Sequence, residues 1–144
     1  MILHHDQDIN LLDFSKYEYE KILPENSRKR VFFLRDNERD YSIISLFLSS
    51  GIRVNELANL RLRDIDFSTN EIKVIRKDNK EDIVAVFPES MNDLIEYLSI
   101  REQRYLGSDD PSEYVYIAKY GGYNSPLSVR TVQNIVEKYT ILLI

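Results

Sequence analysis

The sequence predicts an α+β fold that is mainly helical, with a small three-stranded antiparallel sheet packed on a helical body. Apolar residues recur at helical spacing in several separate segments. Two runs rich in Ile and Val flank a short polar turn. With 144 residues, 43% of them hydrophobic, the chain has the length and composition of one globular domain.

Two helices are predicted in the first third of the chain. Ser15 and Glu18 form a capping box for a short helix over residues 15–23. The stretch 24–35 fits no single periodicity, so its conformation stays open at this point. Residues 36–49 are apolar over most of the helical circumference after an acidic first turn, which predicts a buried helix at the centre of the core.

A sharp corner and a hairpin are predicted next. Gly51 interrupts the helical pattern, which resumes over residues 54–60. The runs 71–77 and 82–87 are rich in β-branched residues, and the polar residues 78–81 join them. This arrangement predicts a β-hairpin shortly after the corner.

The last third is predicted to contain a helix, a strand and a final helix. Apolar residues at i, i+3, i+4 and i+7 indicate an amphipathic helix that begins after Pro88 and runs to about Tyr105. Residues 114–118 are expected to form the third strand, and Ser128 caps a last helix that runs to about Tyr139. Loops are expected at 107–111 and 120–126.

Composition excludes several kinds of site. The chain has no cysteine, and its only histidines are the adjacent His4 and His5, so disulfides, thiolate nucleophiles, a histidine triad and a zinc site are not expected. No metal or other cofactor is predicted. No apolar run is long enough to span a bilayer and no signal peptide is evident, so we expect a cytoplasmic protein that does not interact with membranes.

The charge is acidic overall but uneven along the chain. A net charge of −5 argues against indiscriminate binding to nucleic acid, because phosphate neutralisation requires a surplus of Lys and Arg. Residues 53–80, however, carry seven basic against five acidic side chains. A basic surface on an acidic body is therefore possible.

The residues around Arg53 suit phosphate chemistry. Segment 50–57 reads Ser-Gly-Ile-Arg-Val-Asn-Glu-Leu, so the arginine stands at the start of a helix. A guanidinium there can bind two phosphate oxygens, and the helix N-terminus favours an anion. Glu56 is three residues further along on the same helix face, where it is expected to hold the Arg53 guanidinium.

Segment 50–57 and the hairpin resemble the tyrosine recombinase (phage integrase) family. The first box of that family reads Thr-Gly-x-Arg-x-Ser-Glu-Leu, and a Leu and an Asp-Ile-Asp turn follow before a hairpin whose turn reads Lys-[Gly/Thr]-x-Lys-x-Arg. Ser50 and Asn55 are small polar replacements in the first box. Asp78 stands where Gly or Thr is common, and Asp82 where Arg is usual.

The resemblance implies site-specific DNA recombination or integration through a 3′-phosphotyrosine intermediate. Arg53 would bind the scissile phosphate, Glu56 would buttress the site, and Lys77 would protonate the departing 5′ hydroxyl. Lys80 is the alternative for the catalytic lysine and, like Arg130, a candidate DNA contact. The implied partners are double-stranded DNA and other recombinase protomers.

The resemblance covers about residues 12–140, which implies the first half of a catalytic domain. The core-binding domain, the His-x-x-Arg box and the nucleophilic tyrosine are expected to be absent from this chain. The 144-residue chain alone is therefore expected not to cleave DNA, and a covalent DNA adduct formed by it would contradict this expectation.

Two other functions stay open on the sequence alone. The chain could be a non-catalytic DNA-binding or regulatory remnant, or an unrelated protein-interaction α+β domain in which the Arg53 box is a coincidence. An Arg–Glu pair on a helix is more often a surface salt bridge than a site. Lysines such as Lys77 and Lys80 commonly protect an exposed hairpin from aggregation.

Overall fold

A computed structural model describes residues 19–25, 27–105, 112–118 and 125–141. Its α-helices follow the predicted order, and the described ranges contain five α-helices and three strands. They are α1 (Tyr19–Ile22), α2 (Arg28–Ser50), α3 (Val54–Ala58), β1 (Ile65–Asp66), β2 (Glu71–Ile75), β3 (Glu81–Ala85), α4 (Pro88–Tyr105) and α5 (Val129–Ile141). The α+β class, mainly helical with a three-stranded antiparallel sheet, is confirmed.

The long helix α2 begins earlier than the sequence predicted. The Ser27 hydroxyl accepts the Arg30 N–H at 3.1 Å and caps the helix, so residues 28–35, whose conformation was left open, are helical. The predicted acidic first turn is therefore wrong, because the true first turn is basic and Asp36 lies well inside the helix. Residues 31–34 are all apolar although only Phe33 is buried, and this continuous apolar run concealed the helical period.

The end of α2 forms the predicted corner. Gly51 has φ 68° and ψ 18°, the left-handed conformation that ends many helices, and its N–H donates to the Phe47 carbonyl at 3.3 Å. The Ser50 hydroxyl donates to the Leu46 carbonyl at 2.6 Å and accepts the Ile52 N–H at 3.2 Å. Backbone and side chain together fix the direction in which the chain leaves the helix.

The sheet contains the predicted hairpin but a different third strand. Strands β2 and β3 pair antiparallel with Ile72 opposite Val84, and the short β1 lies on the other side of β2. The predicted strand at 114–118 is wrong, since this segment forms only isolated bridges at Tyr114 and Ile117. Its apolar residues are buried like those of a strand, which explains the error.

Side chains of α4 bind the backbone of segment 112–118 in place of a neighbouring strand. The buried Arg101 guanidinium donates to the carbonyls of Ser112, Tyr114 and Val115. The Tyr97 hydroxyl also donates to the Val115 carbonyl, at 2.8 Å. Because these donors satisfy the carbonyls, the segment can be buried without forming a sheet ladder.

The core lies between α2, α4, α5 and the inner face of the sheet. Helices α4 and α5 match their predicted positions, and the Ser128 hydroxyl accepts the Thr131 N–H at 3.0 Å at the start of α5. Of the helix predicted at 15–23, residues 19–22 are helical and Leu23 is not, whereas residues 15–18 with the capping box lie outside the described residues. The predicted loop 107–111 and residues 120–124 of the predicted loop 120–126 lie outside them as well. No helix in the described ranges is both long and apolar enough to cross a membrane.

A buried polar network crosses the core from α2. Asp36 accepts the Tyr105 hydroxyl at 2.7 Å, and Asp40 accepts the Tyr139 hydroxyl at 3.2 Å. Arg39 lies between the two carboxylates, 3.5 Å from Asp36 and 2.9 Å from Asp40. The network thereby joins α2 to α4 and α5 by charge-assisted hydrogen bonds.

We expect Gly51→Ala to lower the free energy of unfolding by about 1–2 kcal/mol, because a Cβ disfavours the left-handed conformation. No atom lies within 4 Å of the Cβ that would be added, so the loss comes from the backbone alone. Gly51→Asn is the matched comparison, since Asn tolerates this conformation better. Urea unfolding measures both variants, and equal losses for Ala and Asn would contradict the account.

We expect the carboxylate of Asp36 to make stability depend on pH. Burial acts to raise its pKa, but the hydrogen bond from Arg35, the charge of Arg39 and the hydrogen bond from Tyr105 outweigh burial, and the pKa lies below its ordinary 3.8. The unfolded chain thus takes up a proton before the folded chain does. The stabilisation is complete above that ordinary value and is lost as the pH falls through the lower folded pKa.

Urea unfolding of Asp36→Asn between pH 6 and pH 2.5 tests this expectation. The variant should be less stable than the wild type near pH 6, and the difference should shrink as the pH falls. Glu137→Gln, which removes an exposed carboxylate from α5, is the control. A difference between Asp36→Asn and wild type that does not change with pH would refute the assignment.

Candidate functional site

Arg53 lies at the corner between α2 and α3. Its backbone is extended, with φ −83° and ψ 155°, and it is the N-cap residue of α3. The preceding Ile52 is buried in the core and anchors the corner, whereas Arg53 is exposed. In the part of the chain that the structure describes, its guanidinium has no hydrogen bond or ion pair. The corner therefore presents an unpaired, permanently charged donor to solvent.

Glu56 contacts Arg53 in a different way from the one predicted. Its Oε1 accepts the Arg53 backbone N–H at 2.9 Å, as an acid three residues after an N-cap residue commonly does. The same oxygen lies 3.4 Å from Nη1 of Arg76. The expected contact between Glu56 and the Arg53 guanidinium is thus replaced by one to the backbone, which leaves that guanidinium unpaired.

The hairpin tip carries Lys77 and Lys80. The Arg76 N–H donates to the Lys80 carbonyl at 2.8 Å and closes the turn. Asp78 and Asn79 have φ 67° and 58°, the left-handed region in which Asp and Asn are enriched among non-glycine residues. Asp78 is therefore left-handed at a position where the family that the sequence resembles commonly has Gly or Thr. Both lysines are exposed, and neither side chain has a partner among the described residues.

Arg76 is the functional candidate that sequence reasoning missed. Its guanidinium reaches Glu56 on α3 through Nη1, and Nε donates to Asp82 on β3 at 3.2 Å. The side chain of Glu56 is only 5% exposed, and that of Arg76 is 23% exposed. Asp82 was the one sequence signal for this contact. It is an acid where the family usually has arginine, and an acid there can pair with a nearby basic side chain.

Arg130 lies in the first turn of α5 and is exposed. Helix α5 packs against both α2 and α3, so this element belongs to the same side of the core as the corner. The Arg130 side chain forms no ion pair within the described ranges. Like Arg53, Lys77 and Lys80, it is exposed and therefore available to bind an anion.

Two further cations of segment 53–80 are paired with acids. Arg61 lies 3.7 Å from Glu113, and Lys73 lies within 4 Å of both Asp64 and Glu81. These pairs reduce the basic character of one part of the segment. Within the described part of segment 53–80, the cations without an ion pair are the exposed Arg53 at the corner, Lys77 and Lys80 at the hairpin tip, and Arg63.

The most buried tyrosines belong to the core. Tyr97, Tyr105, Tyr116 and Tyr139 are each buried, and burial raises the pKa of every one of these phenols. A raised pKa opposes formation of the phenolate that attacks phosphorus. Among the described residues, no group of three acidic or histidine side chains is placed to hold a metal ion.

The sequence matches the model of the phage integrase family over residues 13–143. It is 35% identical over 135 residues to the tyrosine recombinase XerS of Lactococcus lactis subsp. cremoris (strain MG1363). It is 33% identical over 135 residues to XerS of Streptococcus pyogenes serotype M5 (strain Manfredo). Both alignments cover 94% of this chain but 37% of the relative, so the chain spans little more than a third of these proteins.

Solved structures show the same fold. The XerA recombinase superimposes with a TM-score of 0.68 and 21% identity, covering 96% of this chain and 41% of XerA. The XerH recombinase, crystallised with its difH substrate before cleavage, superimposes with a TM-score of 0.70 and 17% identity. That match covers 97% of this chain and 36% of XerH. At these identities the likeness supports the fold alone.

Proposed function

Because the chain belongs to the phage integrase family, we propose that it acts in site-specific DNA recombination as the phosphate-binding part of a tyrosine recombinase catalytic domain. The family match removes the alternative of an unrelated protein-interaction domain. Residues 13–143 would form the first half of the catalytic domain, as their alignment to about a third of XerS suggests. Duplex DNA and further recombinase protomers are the partners in this proposal, and its location is the cytoplasm.

One observation carries the proposal. Arg53 and Lys77 lie on separate elements, both are exposed, and neither has a partner in the described ranges, yet Glu56 and Arg76 tie the two elements together. A phosphodiester under attack gathers negative charge on its non-bridging oxygens and requires preorganised cationic donors. Arg53 and Lys77 meet that requirement, because both are unpaired in the described ranges and the shielded contact between Glu56 and Arg76 holds their two elements together.

The chemistry assigns a separate role to each residue. Arg53 would bind the non-bridging oxygens of the scissile phosphate through two N–H groups. Lys77 would donate a proton to the 5′ oxygen as its bond to phosphorus breaks, so that the strand leaves as a neutral hydroxyl. Lys80 and Arg130 would contact flanking phosphates, and Glu56 is a positioning residue. We assign the nucleophilic tyrosine to none of the buried phenols.

DNA binding at several salt concentrations tests the proposal. We expect Arg53→Ala and Lys77→Ala each to weaken binding of the 144-residue chain to a fluorescent duplex by about tenfold. Each should also reduce the slope of log affinity against log salt by about 1, because one phosphate contact is lost. Fluorescence anisotropy measures both quantities.

Arg28→Ala is the matched control for this experiment. Arg28 is also an exposed cation, but it begins the 23-residue α2, so it lies about 33 Å from the corner at 1.5 Å per residue. Its loss should leave the affinity nearly unchanged. Equal effects at Arg28 and Arg53, or no effect at Arg53, would overturn the proposal.

A further inference from the structure

Arg76 lies between the two elements that carry the candidate catalytic cations. It directly precedes Lys77, and its side chain points back from the hairpin to Glu56 at the start of α3. Glu56 in turn accepts the backbone N–H of Arg53 at 2.9 Å. A continuous chain of contacts therefore runs from the hairpin tip to the corner through one carboxylate oxygen.

The shielding of Glu56 makes this contact more than a surface ion pair. Its side chain is 5% exposed, so water cannot easily replace Arg76 as its partner. An unpaired carboxylate at such a position is unfavourable, whereas exposed ion pairs contribute little. The hairpin is consequently favoured in the one position that lets Arg76 reach Glu56.

The guanidinium group suits this role better than an ammonium group. Arg76 uses Nε for Asp82 on β3 and Nη1 for Glu56 on α3, so two edges of one rigid plane bind two elements. A lysine has a single charged atom and lacks this fork. Asp82 thereby orients Arg76 from within the hairpin.

We propose that Arg76 is a positioning residue, which binds Glu56 and thereby holds the hairpin tip so that Lys77 and Arg53 can act on one phosphate. This inference rests on the proposed function and deepens it. Arg76 itself contacts protein in this account, and its effect on DNA is transmitted through the position of Lys77.

The proposal and simple electrostatics predict opposite changes in DNA affinity for Glu56→Gln. The glutamine oxygen can still accept the Arg53 N–H, but the charge that binds Arg76 is gone. If Glu56 acted only as a negative charge near DNA, its neutralisation would strengthen binding. If it positions the hairpin through Arg76, its neutralisation weakens binding because Lys77 is no longer held.

The experiment measures duplex binding by anisotropy for Glu56→Gln, Lys77→Ala and the double variant. We expect Glu56→Gln to weaken binding at least threefold, and Lys77→Ala to have less than half its usual effect on log affinity when added to Glu56→Gln. Glu71→Gln removes the same charge from β2, where the Glu71 side chain has no partner among the described residues, and should not weaken binding. Unchanged or tighter binding by Glu56→Gln, or a full effect of Lys77→Ala in both backgrounds, overturns the proposal.

Arg76→Lys tests whether the planar guanidinium is required. Because it keeps the positive charge, we do not expect it to unfold the protein. We expect it to unfold at the wild-type temperature within a few degrees while losing at least threefold in duplex affinity, although its charge is retained. Wild-type affinity in Arg76→Lys would contradict the need for the two-edged guanidinium.

Amide spectra of the free protein separate this inference from the proposed function. On Arg76→Lys we expect shifts of the Arg53 amide as well as those of the hairpin tip, since Glu56 links them. If the wild type binds no DNA but these shifts appear, the proposed function fails and the link between the elements stands. If the wild type binds DNA and the Arg53 amide does not move, the positioning role fails alone.

Discussion

The arrangement of the candidate site depends on one shielded carboxylate, that of Glu56. It receives a backbone N–H from the corner and a guanidinium from the hairpin, and both donors reach the same oxygen. A buried carboxylate strongly requires such donors because its charge loses the stabilisation of water. Two segments more than twenty residues apart in sequence are thereby tied to one point. Arg53 and Lys77 lie next to these two segments' contacts and have no partner among the described residues, as the proposed phosphate site requires.

The rest of the fold holds this point in place. Helix α2 is fixed in the core by the Asp36–Arg39–Asp40 network, and the left-handed Gly51 determines where the corner leaves it. Helix α3 is too short to be stable alone and depends on its packing against α5. Arg101 secures segment 112–118, whose Val115 N–H donates to the Leu60 carbonyl directly after α3. The site is thus supported from both ends of its short helix.

Sequence reasoning found most of the elements because their signals are local. The Gly51 break, the hairpin and helices α4 and α5 each follow from spacing and capping within a dozen residues. The start of α2 was missed because residues 31–34 are all apolar, although only Phe33 is buried. The strand prediction for 114–118 is wrong because a buried loop whose backbone is bound by side chains has the same apolar pattern as a strand.

Within the candidate site, the sequence indicated residue types but not all of their contacts. Arg53 and Lys77 were identified through motif and spacing, and the structure shows both exposed. The contact between Arg76 and Glu56 spans twenty positions and depends on how the hairpin folds back on α3, which no local pattern records. For the same reason the Glu56 carboxylate was assigned to the wrong part of Arg53.

The most direct test of the central claim is to map the amide signals that shift when a short duplex is added to the labelled chain at low salt. The account predicts that the largest shifts fall together in residues 50–56 and 76–81, with smaller ones at the first turn of α5. Shifts confined to the outer face of the sheet or to residues 28–35 of α2 would contradict it, because DNA would then bind away from Arg53 and Lys77.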